Sequence, residues 1–236
     1  MMMPADTPTR GAMILAAGRG ERLRPLTDRL PKPLVPVAGR PLIEHHLHAL
    51  AAAGFDQVVI NVAWLADAIM AALGEGDRFG LRIIYSVETP GALDTGGGIR
   101  QALPLLPDAP FLVANGDVFT DFDFRRLATP MGADDLARLV LVPNPAHHPD
   151  GDFALVGDRV RRGASGDSRR TFAGIGVYRP GLFGGERPVR FGLGEALQPA
   201  IEAGRVAGLP FDGRWHDVGR PATLAALGGP PVPSAE

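Results

Sequence analysis

The feature that most constrains the fold of this chain is the alternation, through its first half, of short apolar runs with segments of helical length. This pattern is typical of a parallel sheet covered by helices on both faces. We predict strands at Ala12–Ala16, Gln57–Asn61, Arg82–Ser86 and Phe111–Asn115, and helices at Leu42–Ala53, Ala66–Leu73 and Gly97–Leu106. The first half is therefore expected to form a Rossmann-like α/β unit.

The second half has a different pattern. It contains β-prone runs at Ala137–Val142, Phe153–Val156 and Thr171–Tyr178 and one clear helix at Leu193–Ala203. We therefore predict a single α/β domain over residues 12–225, with a mostly parallel mixed sheet flanked by helices and a smaller β-rich portion. Residues 1–11 and 226–236 have few apolar side chains to bury and are predicted to be flexible ends.

Composition excludes several kinds of function. The 236 residues include no cysteine, which excludes disulfides, thiolate metal sites and a cysteine nucleophile. The formal net charge is −2 and the basic residues are scattered, so we expect no binding to nucleic acid or to anionic membranes. No apolar run approaches the roughly 18 residues that span a bilayer, so we expect a cytoplasmic protein. Any recognition of phosphate must then be local.

A glycine-rich loop follows the first predicted strand, with the sequence L-A-A-G-R-G-E-R-L-R-P-L-T from Leu15 to Thr27. Open α/β sheets bind ligands at the carboxyl ends of their strands, and Gly18 and Gly20 allow backbone N–H groups to approach phosphate oxygens closely. The dinucleotide-binding spacing is broken at Leu23, and the Gly-Lys-Ser/Thr sequence of a P-loop is missing. The Gly-x-Gly pattern alone is equally compatible with a simple turn.

A single lysine follows this loop. Lys32 is the only lysine among 24 lysine and arginine residues, and Pro31 and Pro33 flank it. The two prolines restrict the neighbouring backbone, so the side chain is presented with little conformational freedom. Because arginine cannot replace a compact ammonium charge at every site, a lysine retained in an arginine-rich chain is a candidate phosphate ligand.

Two aspartates are candidate magnesium ligands. Asp117 follows the predicted strand Phe111–Asn115 in the sequence A-N-G-D, at the same edge of the sheet as the glycine-rich loop. Asp217 lies in the sequence W-H-D-V-G. Mg²⁺ binds few protein carboxylates together with phosphate oxygens and water. Either aspartate alone is compatible with a turn, whereas the pair together with the loop favours a metal site.

Together these motifs resemble the signature of the sugar-1-phosphate nucleotidyltransferases, L-A-A-G-x-G-x-R-L-x-P-L-T followed by P-K-P-L. The resemblance implies the nucleotidyltransferase fold, with a nucleotide-binding half over residues 12–120 and a sugar-binding half over 121–225. It also implies that Lys32 and Arg22 are catalytic and that Asp117 and Asp217 bind Mg²⁺. The residues expected to bind the nucleotide are Ala17, Gly18, Gly20, Glu21, Arg22, Lys32 and, for the base, Gly97 in L-D-T-G-G-G.

Further motifs resemble the branch of this family that uridylylates N-acetylmuramate 1-phosphate in cell-wall sugar recycling. They include P-L-I-E-H-H-L, G-G-G-I, N-G-D-V, N-P-x-H-H, G-D-F and W-x-D-V-G. The resemblance implies UTP and N-acetylmuramate α-1-phosphate as substrates, with Asn115, Asp152 and Gly174 at the sugar. The segment Glu88–Leu93 differs locally from the family's pattern. A guanylyl- or cytidylyltransferase for mannose or heptose 1-phosphate therefore stays an alternative. A non-catalytic sensor is a further alternative, and the oligomeric state is open.

Overall fold

The computed structural model describes residues 11–89, 91–163 and 168–232. Nearly all of the predicted flexible N-terminus lies outside these ranges, and Gly11 belongs to a strand. The strands are β1 (Gly11–Leu15), β2 (Pro36–Val37), β3 (Arg40–Pro41), β4 (Gln57–Val62), β5 (Arg82–Val87), β6 (Phe111–Asn115), β7 (Val118–Thr120), β8 (Ala137–Val142), β9 (Phe153–Val156), β10 (Arg159–Arg161), β11 (Arg169–Tyr178), β12 (Val206–Pro210) and β13 (Trp215–Asp217).

The helices are short. They are α1 (Leu42–Ala52), α2 (Ala66–Leu73), α3 (Asp94–Ala102), α4 (Leu193–Glu202) and α5 (Pro221–Ala226). None of the helices within the described ranges has the length and apolarity needed to cross a membrane.

A nine-stranded sheet forms the centre of the molecule, in the order β5-β4-β1-β6-β11-β8-β12-β10-β9. The strands β5, β4, β1 and β6 are parallel, which confirms the arrangement predicted for the first half. Beyond β6 the sheet is mixed, because β11 is antiparallel to β6 and β8 whereas β12 is parallel to β8. The predicted α/β class is confirmed. The parallel pairs of the sheet are confined to the end formed by β5, β4, β1 and β6 and to the β8–β12 pair.

The two faces of the sheet carry separate apolar layers. Along β1, Ala12 and Ile14 belong to a cluster that includes Ile43 of α1, whereas Met13 belongs to a cluster that includes Ile99 of α3. This alternation follows from the two-residue period of a strand. Burial of an Ile or Met side chain contributes about 1.5–3 kcal/mol, so both layers fix the strand ends that carry the functional loops.

Helix α3 differs from its predicted bounds, Gly97–Leu106. It begins at Asp94 and ends at Ala102, so all three glycines at 96–98 lie inside the helix and not at its start. A β-carbon on Gly97 would lie 2.5 Å from the backbone oxygen of Val189, and one on Gly96 would clash with the ring of Phe191. The glycine run therefore allows α3 to pack closely against the segment that precedes α4.

A third, smaller apolar cluster joins the glycine-rich loop to the C-terminal part of the chain. It contains Leu23 of the loop and Leu224 of α5, and Leu227 and Val232 pack against it. The backbone N–H of Ala38 also donates to Leu227 O at 3.0 Å. Residues 226–232, which we predicted to be flexible, thus contact the folded domain, whereas residues 233–236 lie outside the described ranges.

Candidate active site

The loops that follow β1, β4, β5 and β6 meet at the carboxyl edge of the sheet, where a cavity of about 250 Å³ opens. Five predicted site residues line this first cavity: Ala17, Gly18, Lys32, Asn115 and Asp117. Its place at the ends of parallel strands is the usual ligand-binding position of an open α/β sheet. The sequence therefore located the edge of the sheet that forms the cavity.

A second cavity of about 470 Å³ adjoins the first and is lined mainly by the β-rich half of the molecule. The predicted residues that line it are Arg22, Asn115, Asp117, Asp152, Gly174 and Asp217. Asn115 and Asp117 line both cavities, so they mark the junction where two bound molecules would meet.

Lys32 places a cation at this junction. Its Nζ donates to Asp117 Oδ2 at 2.6 Å, and its side chain is only 10% exposed. Gly20 has a φ of +70°, and a β-carbon there would lie 3.1 Å from the Lys32 Cβ. Gly20 therefore packs behind the lysine and does not line either cavity. The loop's second glycine positions Lys32, which the sequence alone did not indicate.

Arg22 and Asp217 form a looser pair on the wall of the second cavity, with 3.7 Å between the arginine Nη2 and Asp217 Oδ2. The other carboxylate oxygen, Oδ1, is buried and has no hydrogen-bond partner among the described residues. Leaving a buried carboxylate oxygen unsatisfied is unfavourable, which points to a ligand at this atom. Gly219 leaves room for the pair, since a β-carbon there would lie 2.5 Å from Arg22 Nη2.

The backbone brings the two candidate metal ligands together. Strands β7 and β13 are antiparallel, with Asp217 opposite Val118, and the N–H of Val218 donates to Asp117 O at 2.9 Å. Within the ranges that the structure describes, no group of three or more His, Cys, Asp or Glu residues could hold a metal ion. Two carboxylates nonetheless fit Mg²⁺, which takes one or two of them and completes its coordination with phosphate and water.

Two polar residues of the first cavity were missed by the sequence analysis. Asn61 Oδ1 accepts from the Ala16 N–H at 2.8 Å, and its Nδ2 donates to Glu88 Oε1 at 2.6 Å. Glu88 Oε2 accepts from the Leu93 N–H at 2.7 Å. Both side chains are at most 3% exposed, so they connect the loops after β1, β4 and β5 from within. The sequence signal that could have indicated them is a polar residue at or just after the end of an apolar strand.

Two other predicted nucleotide ligands lie away from the cavities. Glu21 is exposed in a short 3₁₀ turn, and Gly97 is buried against the segment preceding α4. The base-binding role predicted for Gly97 has no support in its position, because neither cavity is lined by it. Instead, Asp94 and Thr95, from the first turn of the same helix, line the first cavity.

Gly174 lies where β11 passes the junction of the cavities. Its φ is +70°, and a β-carbon would lie 2.6 Å from Asn115 Nδ2. A side chain at this position would therefore displace Asn115. Gly174 and Asn115 are brought together as the resemblance implied.

His46 lies behind the junction, in the core. Its side chain is 2% exposed. Burial lowers its pKa to about 4, an effect only partly offset by the backbone carbonyl of Val118 and the charge of Asp117. The imidazole is therefore neutral near pH 7 and supports the loop as a packed group.

Comparison with known proteins gives the family. Residues 11–154 match the family described as nucleotidyl transferase. The N-acetylmuramate alpha-1-phosphate uridylyltransferase of Neisseria meningitidis serogroup B is 52% identical to this chain, over 88% of the chain and 92% of that protein. The chain belongs to the nucleotidyl transferase family. The family predicted from the motifs is thus confirmed.

Two further comparisons share less of the sequence. The protein of the same name from Caulobacter vibrioides is 36% identical, over 91% of this chain and 94% of its own length. Among solved structures, the inositol-1-phosphate CTP transferase of T. maritima superimposes with a TM-score of 0.78, covering 93% of both chains. At 20% sequence identity, this structural similarity establishes the shared fold alone.

Proposed function

We propose that this nucleotidyl transferase joins UTP to N-acetylmuramate α-1-phosphate, releasing pyrophosphate and a UDP-sugar for peptidoglycan sugar recycling. The observation that carries the proposal is the convergence of Lys32, Arg22, Asp117 and Asp217 where two cavities adjoin. One cavity suits the nucleotide and the other the sugar phosphate. The 52% identity to a muramate enzyme supports the choice of substrates.

The reaction that this geometry suits is one in-line displacement at the α-phosphorus of the nucleotide. An oxygen of the sugar phosphate attacks, and pyrophosphate leaves from the opposite side. A phosphate is already ionised at neutral pH, so no general base is needed, and catalysis depends on positioning and on neutralising charge. Lys32 and Arg22 supply the cationic groups, and the Asn61–Glu88 pair fixes the loops around the nucleotide.

We also propose Mg²⁺ as the cofactor, held by Asp117 and Asp217. The unpartnered Oδ1 of Asp217 supports this assignment. When bound, the ion would neutralise charge on the phosphate oxygens. It would also replace Lys32 and Arg22 as the countercharge of the two carboxylates, leaving both side chains available to phosphate.

Glu88 supports a base whose ring carries an N–H donor. Each oxygen of a carboxylate has a second lone pair, so Glu88 can accept one more hydrogen bond besides those from Asn61 and Leu93. Uracil, thymine and guanine have a ring N–H that can donate, whereas the corresponding nitrogen of cytosine and adenine is an acceptor. The first cavity therefore favours UTP, dTTP or GTP over CTP and ATP.

The proposed reaction is tested by incubating the protein with UTP, N-acetylmuramate α-1-phosphate and Mg²⁺. We expect pyrophosphate and UDP-N-acetylmuramate in equal amounts, and neither product when one substrate is omitted. A chelator should stop the reaction, and turnover in metal-free buffer would contradict the metal proposal alone. Product from GTP with mannose or heptose 1-phosphate, but none from UTP, would replace the proposed substrates.

A further inference from the structure

The loop between β8 and β9 forms part of the wall of the second cavity, and hydrogen bonds hold it in one shape. The N–H of His148 donates to Pro145 O at 2.9 Å, which closes a turn. Asn144 Nδ2 donates to Pro149 O at 2.9 Å, and Asn144 Oδ1 accepts from the Thr171 hydroxyl at 3.0 Å. The loop is therefore fastened to β11, and the side chains it carries have defined positions.

His148 and Asp152 form a pair on this wall. The Phe172 N–H donates to Asp152 Oδ2 at 2.7 Å, and His148 Nε2 lies 3.0 Å from Asp152 Oδ1. Because a carboxylate can only accept, we assign the Nε2 hydrogen to this bond. Each oxygen of Asp152 thus has one protein donor, and Oδ1 orients the His148 ring. Among the described residues no partner is found for Nδ1 of His148, so this atom is available to a ligand.

We propose that His148 is the side chain that contacts the sugar in the second cavity, and that Asp152 is a positioning residue acting on the sugar through His148. This inference rests on the proposed function. When the ring carries its single hydrogen on Nε2, which donates to Asp152, Nδ1 is an acceptor, which suits a sugar hydroxyl. His148 lines the cavity and is 41% exposed, so the ring is accessible while its orientation is fixed.

The first test compares two substitutions that each keep one half of the imidazole. Asn places an acceptor near the position of Nδ1, whereas Gln places a donor near Nε2 and can retain the bond to Asp152. We expect His148→Gln to raise the KM for N-acetylmuramate 1-phosphate about two- to tenfold, as for loss of one neutral hydrogen bond. His148→Asn should stay closer to the parent. The KM for UTP should not change, and kcat should change little.

A double-substitution cycle tests the role of Asp152. We expect Asp152→Asn to raise the KM for the sugar phosphate in the parent, but to have no further effect in His148→Ala. Independent effects that add would show a direct contact between Asp152 and the sugar and would overturn the positioning role. Asp150→Asn is the matched control, since it removes the same charge from an exposed residue of the same loop that does not line the cavity.

The failures of the two proposals are distinguishable. A folded parent that makes no nucleotide sugar from any sugar 1-phosphate would overturn the proposed function and, with it, the role of His148. If the parent is active and both His148→Gln and His148→Ala keep the parent's KM for the sugar phosphate, the role of His148 alone is overturned. Equal losses in His148→Asn and His148→Gln would show that Nδ1 is not the contacting atom. Thermal midpoints of all variants should match that of the parent.

Discussion

Lys32 is nearly buried, yet its ammonium group reaches the junction of the two cavities and contacts Asp117 at 2.6 Å. We expect Lys32→Ala to lower kcat about a hundredfold or more, since losing one charge-stabilising group costs on the order of 3 kcal/mol of transition-state stabilisation. Lys32→Arg should not restore full activity, because a planar guanidinium does not fit the space of an ammonium. Steady-state kinetics on folded variants measure both effects, and near-normal turnover of Lys32→Ala would remove the residue from the mechanism.

The proposed role of Asp217 as a metal ligand is tested by measuring the Mg²⁺ concentration that activity requires. Asp217→Asn removes one anionic ligand, and we expect the Mg²⁺ concentration for half-maximal activity to rise on the order of tenfold, equivalent to about 1.4 kcal/mol of binding free energy. Asp121→Asn is the control, because Asp121 pairs with Arg214 and lines neither cavity. Equal magnesium curves for Asp217→Asn and the parent would be incompatible with Asp217 as a ligand.

At the scale of the elements, Gly18, in the loop after β1, and Gly97, inside helix α3, are expected to respond differently to substitution. A β-carbon on Gly18 would meet nothing within 4 Å, whereas one on Gly97 would lie 2.5 Å from Val189 O. Gly97→Ala should lower the unfolding free energy by about 1–3 kcal/mol through overpacking and leave the KM for UTP unchanged. Gly18→Ala should leave stability unchanged and raise that KM. Chemical denaturation and kinetics distinguish the two, and the opposite result would place the base site at Gly97.

The same elements show what the sequence could and could not predict. Strand β6 and helix α2 have the predicted bounds, because hydrophobic periodicity is a local property of the chain. The start of α3 was wrong, because its glycines pack against residues more than 90 positions later. Asn61 and Glu88 were missed for the same reason, since the hydrogen bonds of Asn61 to Ala16 and Glu88 join segments that are far apart in the sequence. The motifs, by contrast, singled out Lys32, Asp117 and Asp217, each of which lines one or both cavities.

At the scale of the whole molecule, His46 makes stability depend on pH. Burial lowers its pKa from 6.5 to about 4, so between these values the unfolded chain binds a proton that the folded chain does not. Stability from this group is therefore fully present above pH 6.5 and declines as the pH falls toward 4. When the pH is lowered from 7 to 5, protonation of His46 in the unfolded chain should decrease the unfolding free energy by about 2 kcal/mol.

Urea denaturation at these two pH values measures this dependence. His46→Leu should reduce the difference between them, whereas His48→Leu, at an exposed position of the same helix, should retain it. An identical pH dependence in His46→Leu would show that other groups cause the acid sensitivity.

Substrate preference, measured as kcat/KM, tests the central claim most directly. N-acetylmuramate 1-phosphate, N-acetylglucosamine 1-phosphate and mannose 1-phosphate would each be combined with UTP, dTTP, GTP and CTP at saturating Mg²⁺. We predict the highest kcat/KM for UTP with N-acetylmuramate 1-phosphate, and a higher value for this sugar than for N-acetylglucosamine 1-phosphate with the same nucleotide. Absence of pyrophosphate release from every pair by the folded protein would contradict the account.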